Sequence, residues 1–147
     1  MKNLYTIRIF DDCYFDLKIE SPLTRLTGDS GTGKTLLFKA LAGITLNDMQ
    51  DYVTGVAVKD IRICLNEREL GNVLNQHHKF IFIDKYDVFS TEAKVRLSKN
   101  MLNSENNWIV ASRNMDLPNT GLMSRGIKKI CRKRENGVWR LYLEPYR

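Results

Sequence analysis

The stretch that decides the fold is Leu26–Gly43, which reads LTGDSGTGKTLLFKALAG. Its first residues end a short apolar run typical of a strand, and its second half carries apolar residues at helical spacing. Between the two lies the spacing G-x-x-x-x-G-K-T, which is met by Gly28, Gly33, Lys34 and Thr35. This spacing predicts a loop whose backbone N–H groups surround phosphate oxygens.

Each part of this loop has a physical task. The glycines let the backbone curl inward, Lys34 reaches the β and γ oxygens of a nucleotide, and the Thr35 hydroxyl ligates Mg2+. The positive end of the following helix adds to the attraction. A Gly-rich turn that only joined a strand to a helix would give the lysine and the threonine no reason to follow the glycine. We therefore predict that ATP or GTP is held, with Mg2+, by Gly28, Asp29, Ser30, Gly31, Thr32, Gly33, Lys34 and Thr35.

A second signal lies downstream, where the apolar run Phe80–Ile83 is followed by Asp84. P-loop proteins present an aspartate to the Mg2+ shell from the end of such a strand. On its own the run is equally well explained as a buried strand with a polar end residue. Because it follows a phosphate loop, it predicts a metal site formed by Thr35 and Asp84.

Composition bounds the rest of the molecule. With 147 residues, 43% of them hydrophobic and 27% charged, the chain fits one globular domain, which we place at residues 1–147. No run approaches the roughly 18 apolar residues of a membrane span, and the N-terminus lacks a signal-peptide core. We expect no membrane insertion and a cytoplasmic location. Three widely spaced cysteines indicate neither a disulfide framework nor a zinc site, and the net charge of +6 favours an anionic partner.

The order of apolar runs predicts an α/β fold of the P-loop NTPase class. We expect a mostly parallel sheet flanked by helices, with an antiparallel N-terminal hairpin and a C-terminal hairpin. The helix after the phosphate loop should end at Gly43. The other expected elements are a strand within Val56–Leu65, a short helix within Glu67–Gln76, a helix over about Ser90–Leu102, a strand at Trp108–Ala111, and hairpin strands at Ile127–Arg134 and Val138–Leu143.

The stretch Leu26–Gly43, with its Leu-Ala-Gly ending, resembles the ATP-binding-cassette type of P-loop ATPase, which includes soluble chromosome-maintenance and DNA-repair relatives. The N-terminal hairpin and the segment 84–114 are similar as well. The resemblance implies ATP and Mg2+ as cofactors, a Walker A loop, and Asp84 as the Walker B aspartate. It also implies that the adenine stacks on an aromatic residue of the N-terminal hairpin, for which Phe10 and Tyr14 are candidates.

Three departures from that family are visible. Its signature loop is absent, because the roughly 45 residues between the phosphate loop and Phe80 are too few for the helical subdomain that carries it. Lys85 stands where the family has a glutamate, and an ammonium cannot accept a proton from water. The middle strand also lacks the family's glutamine, with Asn66 as the nearest polar residue. We expect a reduced member of the family.

The candidate catalytic residues are Lys34, Asp84, Asp87 and Arg113. Asp87 could orient water, although a surface-turn aspartate explains it as well or better. Arg113 occupies the family's switch-histidine position and could contact the γ-phosphate as an internal arginine finger; an arginine that faces solvent at a strand end is an equal alternative.

The function predicted from these residues is ATP binding with slow or partner-stimulated hydrolysis, in which the nucleotide acts as a switch. The partner is a protein or a second copy of the chain. Nucleic acid, bound through the basic C-terminal hairpin with Trp139 and Tyr142, is less favoured than a solvated hairpin whose Trp139 and Leu141 face the core. The alternatives are a small-molecule kinase of the nucleoside type and a regulatory module that holds nucleotide without turnover.

Overall fold

The computed structural model describes residues 4–11, 13–28, 33–114, 116–118 and 126–146. Within these ranges the chain forms strands, two α-helices and short 3-10 helices. The strands are β1 (Tyr5–Phe10), β2 (Tyr14–Ile19), β3 (Leu23–Leu26), β4 (Val53–Thr54), β5 (Ile61–Cys64), β6 (Phe80–Ile83), β7 (Asn107–Ala111), β8 (Ile127–Glu135) and β9 (Val138–Pro145). The α-helices are α1 (Lys34–Leu46) and α2 (Thr91–Asn103), and the 3-10 helices are Gln50–Tyr52, Val58–Asp60, Glu67–Asn72 and Tyr86–Val88.

The described strands join in one sheet, in the order β4-β1-β2-β9-β8-β3-β7-β6-β5. From β8 to β5 every neighbouring pair is parallel. At the other end β8 and β9 pair antiparallel, β9 is parallel to β2, and β1 is antiparallel to both β2 and β4. The prediction of an α/β fold with a mixed, largely parallel sheet is confirmed.

Strand β6 shows why the central strands are apolar throughout. Successive side chains of a strand point to opposite faces of the sheet. Phe80 and Phe82 belong to the core on the α1 side, where Phe82 meets Phe38 edge to face, whereas Ile81 and Ile83 belong to the core on the α2 side. A strand covered on both faces leaves no position for a polar residue. The strand therefore delivers Asp84 to its carboxyl end, where the protein core stops.

The expectation that α1 ends at Gly43 is wrong. Helix α1 continues to Leu46, and Asn47 closes it by donating from its backbone N and its Nδ2 to the Gly43 carbonyl, at 3.2 and 2.9 Å. The physical reason is Ile44, which is buried in the core and holds the last turn against the sheet. Tertiary packing outweighs the modest helix-breaking tendency of one glycine.

Helix α2 begins after Ser90, whose Oγ accepts a hydrogen bond from the Ala93 backbone N at 3.1 Å. This is the usual way for a serine to satisfy a free N–H at a helix start. The helix buries Ala93, Leu97 and Met101 and exposes its other faces. Neither of the described α-helices is long and apolar enough to cross a membrane.

Candidate nucleotide site

The candidate site lies at one edge of the sheet, where three neighbouring parallel strands end. Strand β7 lies between β3 and β6, and the register pairs Leu26 with Ala111 and Val110 with Ile83. The residues that follow these strands, Gly28, Ser112 and Asp84, therefore leave the sheet at the same edge. In open α/β sheets, ligands bind in the crevice beyond the carboxyl ends of the strands.

Gly33 sets the geometry at the start of α1. It is the residue before the helix, has φ +111°, and its carbonyl accepts the Leu37 backbone N–H at 2.9 Å. Its backbone angle favours glycine, and an added Cβ would lie 2.6 Å from the Leu141 Cδ2 atom, so the Leu141 side chain would have to shift. Gly28 also has a positive φ, of 136°. The predicted ligands Asp29, Ser30, Gly31 and Thr32 lie outside the described residues.

Lys34 is buried although it is a lysine, with a relative exposure of 6%. Its Nζ donates a hydrogen bond to the Gly28 carbonyl, so the ammonium lies beside the start of the phosphate loop. Its positive charge also opposes the rise that burial causes in the pKa of Asp84, which follows β6, two strands away from β3 in the sheet. A buried cation next to a helix start is an arrangement suited to an anion.

Asp84 is half-buried directly after β6. Its Oδ1 accepts the Lys85 backbone N–H at 2.8 Å. Burial raises the pKa of Asp84 above its ordinary value, and the Lys85 N–H together with the charges of Lys85 and Lys34 opposes that rise. A carboxylate that is incompletely compensated in this way would gain from a nearby metal cation.

The oxygen donors at this edge of the sheet are of the kind that Mg2+ prefers. Among the described residues, no group of three or more His, Cys, Asp or Glu side chains could hold a metal ion. Mg2+ is usually held by one or two carboxylates, with waters and substrate phosphates as the other ligands. The exposed Thr35, one residue after Lys34 in the first turn of α1, and Asp84 are the residues that would hold it.

Asp87 and Arg113, which are 26 residues apart, form a pair. Asp87 Oδ1 accepts the Arg113 backbone N–H at 3.3 Å, and its Oδ2 accepts Arg113 Nε at 3.2 Å. Burial by itself would raise the pKa of Asp87, but these hydrogen bonds and the guanidinium charge hold the pKa below its ordinary value. Both carboxylate oxygens are directed to Arg113. The geometry makes Asp87 the anchor of that arginine.

A small polar network that the sequence analysis did not single out joins the ends of β3 and β7. Ser112, which is 1% exposed, donates its Oγ hydrogen to Asn114 Oδ1, and Thr27 Oγ1 donates to the Asn114 carbonyl at 2.7 Å. The Ser112 backbone N–H bonds to the Leu26 carbonyl at 3.0 Å. The signal that could have revealed it is Ser-x-Asn after an apolar strand, a pair whose short side chains bond to nearby backbone. The network holds Arg113 next to the phosphate-loop strand.

The model of a family described as "ATPase family associated with various cellular activities (AAA)" matches residues 24–133, which is more than half of the chain. The chain belongs to this family. The matched span runs from β3 into β8 and includes Lys34, Asp84 and Arg113. Membership supports ATP binding and ATPase-type activity.

A relative points in the same direction. The chain is 34% identical over 85 residues to a protein of Nocardia farcinica (strain IFM 10152) named "Sulfate/thiosulfate import ATP-binding protein CysA". The match covers 55% of this chain but only 25% of that protein. Together the two comparisons show a P-loop ATPase of the ATP-binding-cassette/AAA type, which confirms the family resemblance drawn from Leu26–Gly43.

Proposed function

We propose that this AAA-family chain binds ATP with Mg2+ through the loop 28–35 and Asp84, and hydrolyses it slowly unless a partner completes the site. The observation that carries the proposal is the buried Lys34 ammonium at the start of α1, which acts electrostatically on Asp84. A phosphate-binding cation and a metal-binding carboxylate thus converge at one edge of the sheet.

The residues divide the work between phosphate and metal. Lys34 and the backbone at the start of α1 hold the β and γ phosphate oxygens, and the Thr35 hydroxyl and the Asp84 carboxylate hold Mg2+. Mg2+, when bound, bridges phosphate oxygens and offsets the charge that develops in phosphoryl transfer. The loop residues Asp29, Ser30, Gly31 and Thr32 belong to the proposal on the sequence motif alone.

Slow turnover is expected because, among the described residues, no free carboxylate is identified next to Asp84 that could accept a proton from water. Lys85 occupies the place of a water-polarising carboxylate, and its backbone has φ 60° and ψ 34°, in the left-handed region. Asp87, the other candidate, directs both oxygens to Arg113. Loss of a general base lowers a rate by about 10²–10⁴-fold. We propose that Arg113, held through its Nε and exposed over most of its side chain, contacts the γ-phosphate.

The partner would be a protein or a second copy of the chain, and it would supply the missing water-polarising group. The bound nucleotide would then control how the chain docks to that partner. Lys85 also favours a second candidate function, a regulatory module that holds nucleotide without turnover. The two differ in one measurement, which is whether any partner or added second copy raises the hydrolysis rate.

The direct test is nucleotide binding and turnover by the purified chain and two variants. We expect Mg-ATP to bind and Lys34→Ala to weaken the affinity by roughly tenfold or more, since a charged hydrogen bond contributes about 1.5–3 kcal/mol. Lys99→Ala, which removes an exposed lysine of α2, is the matched control and should change nothing. Unchanged ATP affinity in a folded Lys34→Ala protein would contradict the phosphate-loop assignment. GTP, measured alongside, decides the base preference.

A further inference from the structure

A cavity of about 340 Å³ opens directly beside the start of α1. Its size lies within the range of small-molecule sites. From the helix it is lined by Gly33, Thr35, Leu36 and Lys39. From the other side it is lined by Cys13, Arg132, Trp139 and Leu141, most of which come from the hairpin β8–β9. The cavity therefore adjoins the two residues, Gly33 and Thr35, that the proposed function places against phosphate and metal.

The register of the hairpin explains why Trp139 reaches this place. Leu141 faces α1, because a Cβ on Gly33 would meet its Cδ2 at 2.6 Å. Trp139 lies two residues earlier on the same strand and therefore on the same face of the sheet. Leu141 packs between the hairpin and the helix and is only 2% exposed. Trp139, the next residue on the same face, lies nearer the turn of the hairpin and is 39% exposed. The ring of Trp139 therefore lines the cavity next to the buried contact between Leu141 and the helix.

Two guanidinium groups lie over this ring. The guanidinium carbons of Arg132 and Arg134 lie 5.3 and 5.4 Å from the centroid of the Trp139 ring. Lys39, one helical turn after Thr35, adds a further positive charge to the cavity wall. Both arginines come from the neighbouring strand β8, so the indole combines a stacking face with positive charge over its ring, which suits a nucleobase attached to phosphates. An uncharged apolar ligand would gain nothing from three basic side chains.

The aromatic residues of the N-terminal hairpin lie elsewhere. Phe15 pairs with Leu141 and shares the α1 face, so the neighbouring Tyr14 and its partner Phe10 lie on the opposite face of the sheet. Phe10 and Tyr14 also stack on each other, with ring centroids 4.9 Å apart and planes at 12°. The base-stacking role that the family resemblance implied for these two residues does not fit the sheet.

We propose that the cavity is the nucleoside subsite of the phosphate loop, and that Trp139 stacks on the base of the bound nucleotide. The inference rests on the proposed function, because the phosphates must lie at Gly33–Thr35 for the base to reach the hairpin. The ring of Trp139 supplies the stacking face. Arg132 and Lys39 supply positive charge at the cavity wall.

The experiment compares ATP with inorganic tripolyphosphate, which has the phosphates but no base. Trp139→Ala should weaken ATP binding by about 5–150-fold, the effect of losing one stacked base, and leave tripolyphosphate affinity unchanged. Trp139→Phe should restore most of the ATP affinity, because it keeps an aromatic face. Val138→Ala is the matched control, since Val138 is the preceding residue, is similarly exposed (45% against 39% for Trp139) and points to the opposite face.

Intrinsic fluorescence gives an independent readout. The chain has two tryptophans, and Trp108 is fully buried. In a Trp108→Phe background the emission comes from Trp139 alone, and ATP should quench it while tripolyphosphate does not. A change of this emission that both ligands cause equally would argue against contact with the base and overturn the assignment.

The outcomes separate the two proposals. If ATP and tripolyphosphate both bind and Lys34→Ala weakens both, but Trp139→Ala affects neither or affects both equally, the phosphate loop stands and the nucleoside subsite is overturned. If neither ligand binds, the proposed function fails and the subsite fails with it. If Trp139→Ala abolishes binding of a single-stranded oligonucleotide and leaves ATP unaffected, the ring belongs to a nucleic-acid surface and the subsite is likewise overturned.

Discussion

Replacing Gly33 by alanine should destabilise the protein through two effects that the structure separates. The backbone at Gly33 has φ +111°, and a new Cβ would lie 2.6 Å from Leu141 Cδ2 and 3.2 Å from Ile130 Cγ2. A residue held in a sparsely populated backbone region costs about 1–3 kcal/mol. Overpacking a filled core costs about 1–3 kcal/mol more. We expect Gly33→Ala to lower the free energy of unfolding by about 2–6 kcal/mol.

The same helix provides a matched control in Gly43. It lies inside α1, and among the described residues no atom lies within 4 Å of where its Cβ would be, apart from its own chain neighbours and helix backbone. Gly43→Ala makes the same chemical change without strain or contact. It should raise the free energy of unfolding by roughly 0.5–1 kcal/mol, since glycine is disfavoured inside a helix.

A double-mutant cycle with Leu141→Val isolates the packing effect, because valine lacks the Cδ2 atom that the new methyl group would meet. In the Leu141→Val background, Gly33→Ala should cost about 1 kcal/mol less than in the wild-type background. The assay is guanidinium unfolding followed by the fluorescence of Trp108, which is fully buried. Equal costs in the two backgrounds would refute the Gly33–Leu141 contact, and a neutral Gly33→Ala would refute the strained geometry as well.

Three further predictions concern the site. Because the pKa of Asp84 is raised by burial, its charge opposes folding: the contribution of Asp84 to stability should be most favourable below the ordinary aspartate pKa and should be lost as the pH rises through the raised pKa. Asp84→Asn should remove that loss of stability in metal-free unfolding experiments at pH 3–8. It should also weaken Mg2+-dependent ATP binding. Equal losses of ATP affinity with and without Mg2+ would show instead that Asp84 has a structural role. Lys85→Glu should raise the turnover of the isolated chain with little change in ATP affinity, whereas Lys99→Glu, the same charge change on α2, should not; turnover of the unmodified chain near the ~10 s⁻¹ of a median enzyme would refute the reasoning. Arg113→Ala and Asp87→Asn should each lower turnover, and the double variant should be no worse than Arg113→Ala, because Asp87 acts through the arginine; a fully additive loss would assign Asp87 a role of its own.

The phosphate loop is the part of the site that could be predicted from the sequence. Gly28, Gly33, Lys34 and Thr35 lie within eight consecutive residues. Their spacing is set by the local geometry of one strand, one loop and one helix start, so a linear motif is enough to predict which residues form the loop. The position of Asp84 followed in the same way, because a fully apolar strand must lie inside the sheet and its first polar residue must lie at the edge.

The relations between distant segments could not be obtained in this way. That Asp87 anchors Arg113, and that β7 lies between β3 and β6, depends on strand order, which periodicity along one segment does not specify. The extension of α1 past Gly43 was missed because a buried isoleucine four residues from the sheet-facing Ala40 outweighs a local helix-ending signal.

Trp139 shows most clearly the difference between what a local sequence pattern predicts and what depends on contacts between distant segments. The alternation of the C-terminal hairpin predicted that Trp139 and Leu141 both face the core. The two share a face, since the two-residue period of a strand is a local property, but Leu141 is buried and Trp139 is 39% exposed. The alternation could not indicate that this face meets the start of α1, more than a hundred residues earlier in the chain. The pairing of β8 with β3 and of β9 with β2 brings the hairpin beside the start of α1. The sequence by itself thus determined where we propose that the phosphates bind, and the tertiary structure decided what lies next to that loop.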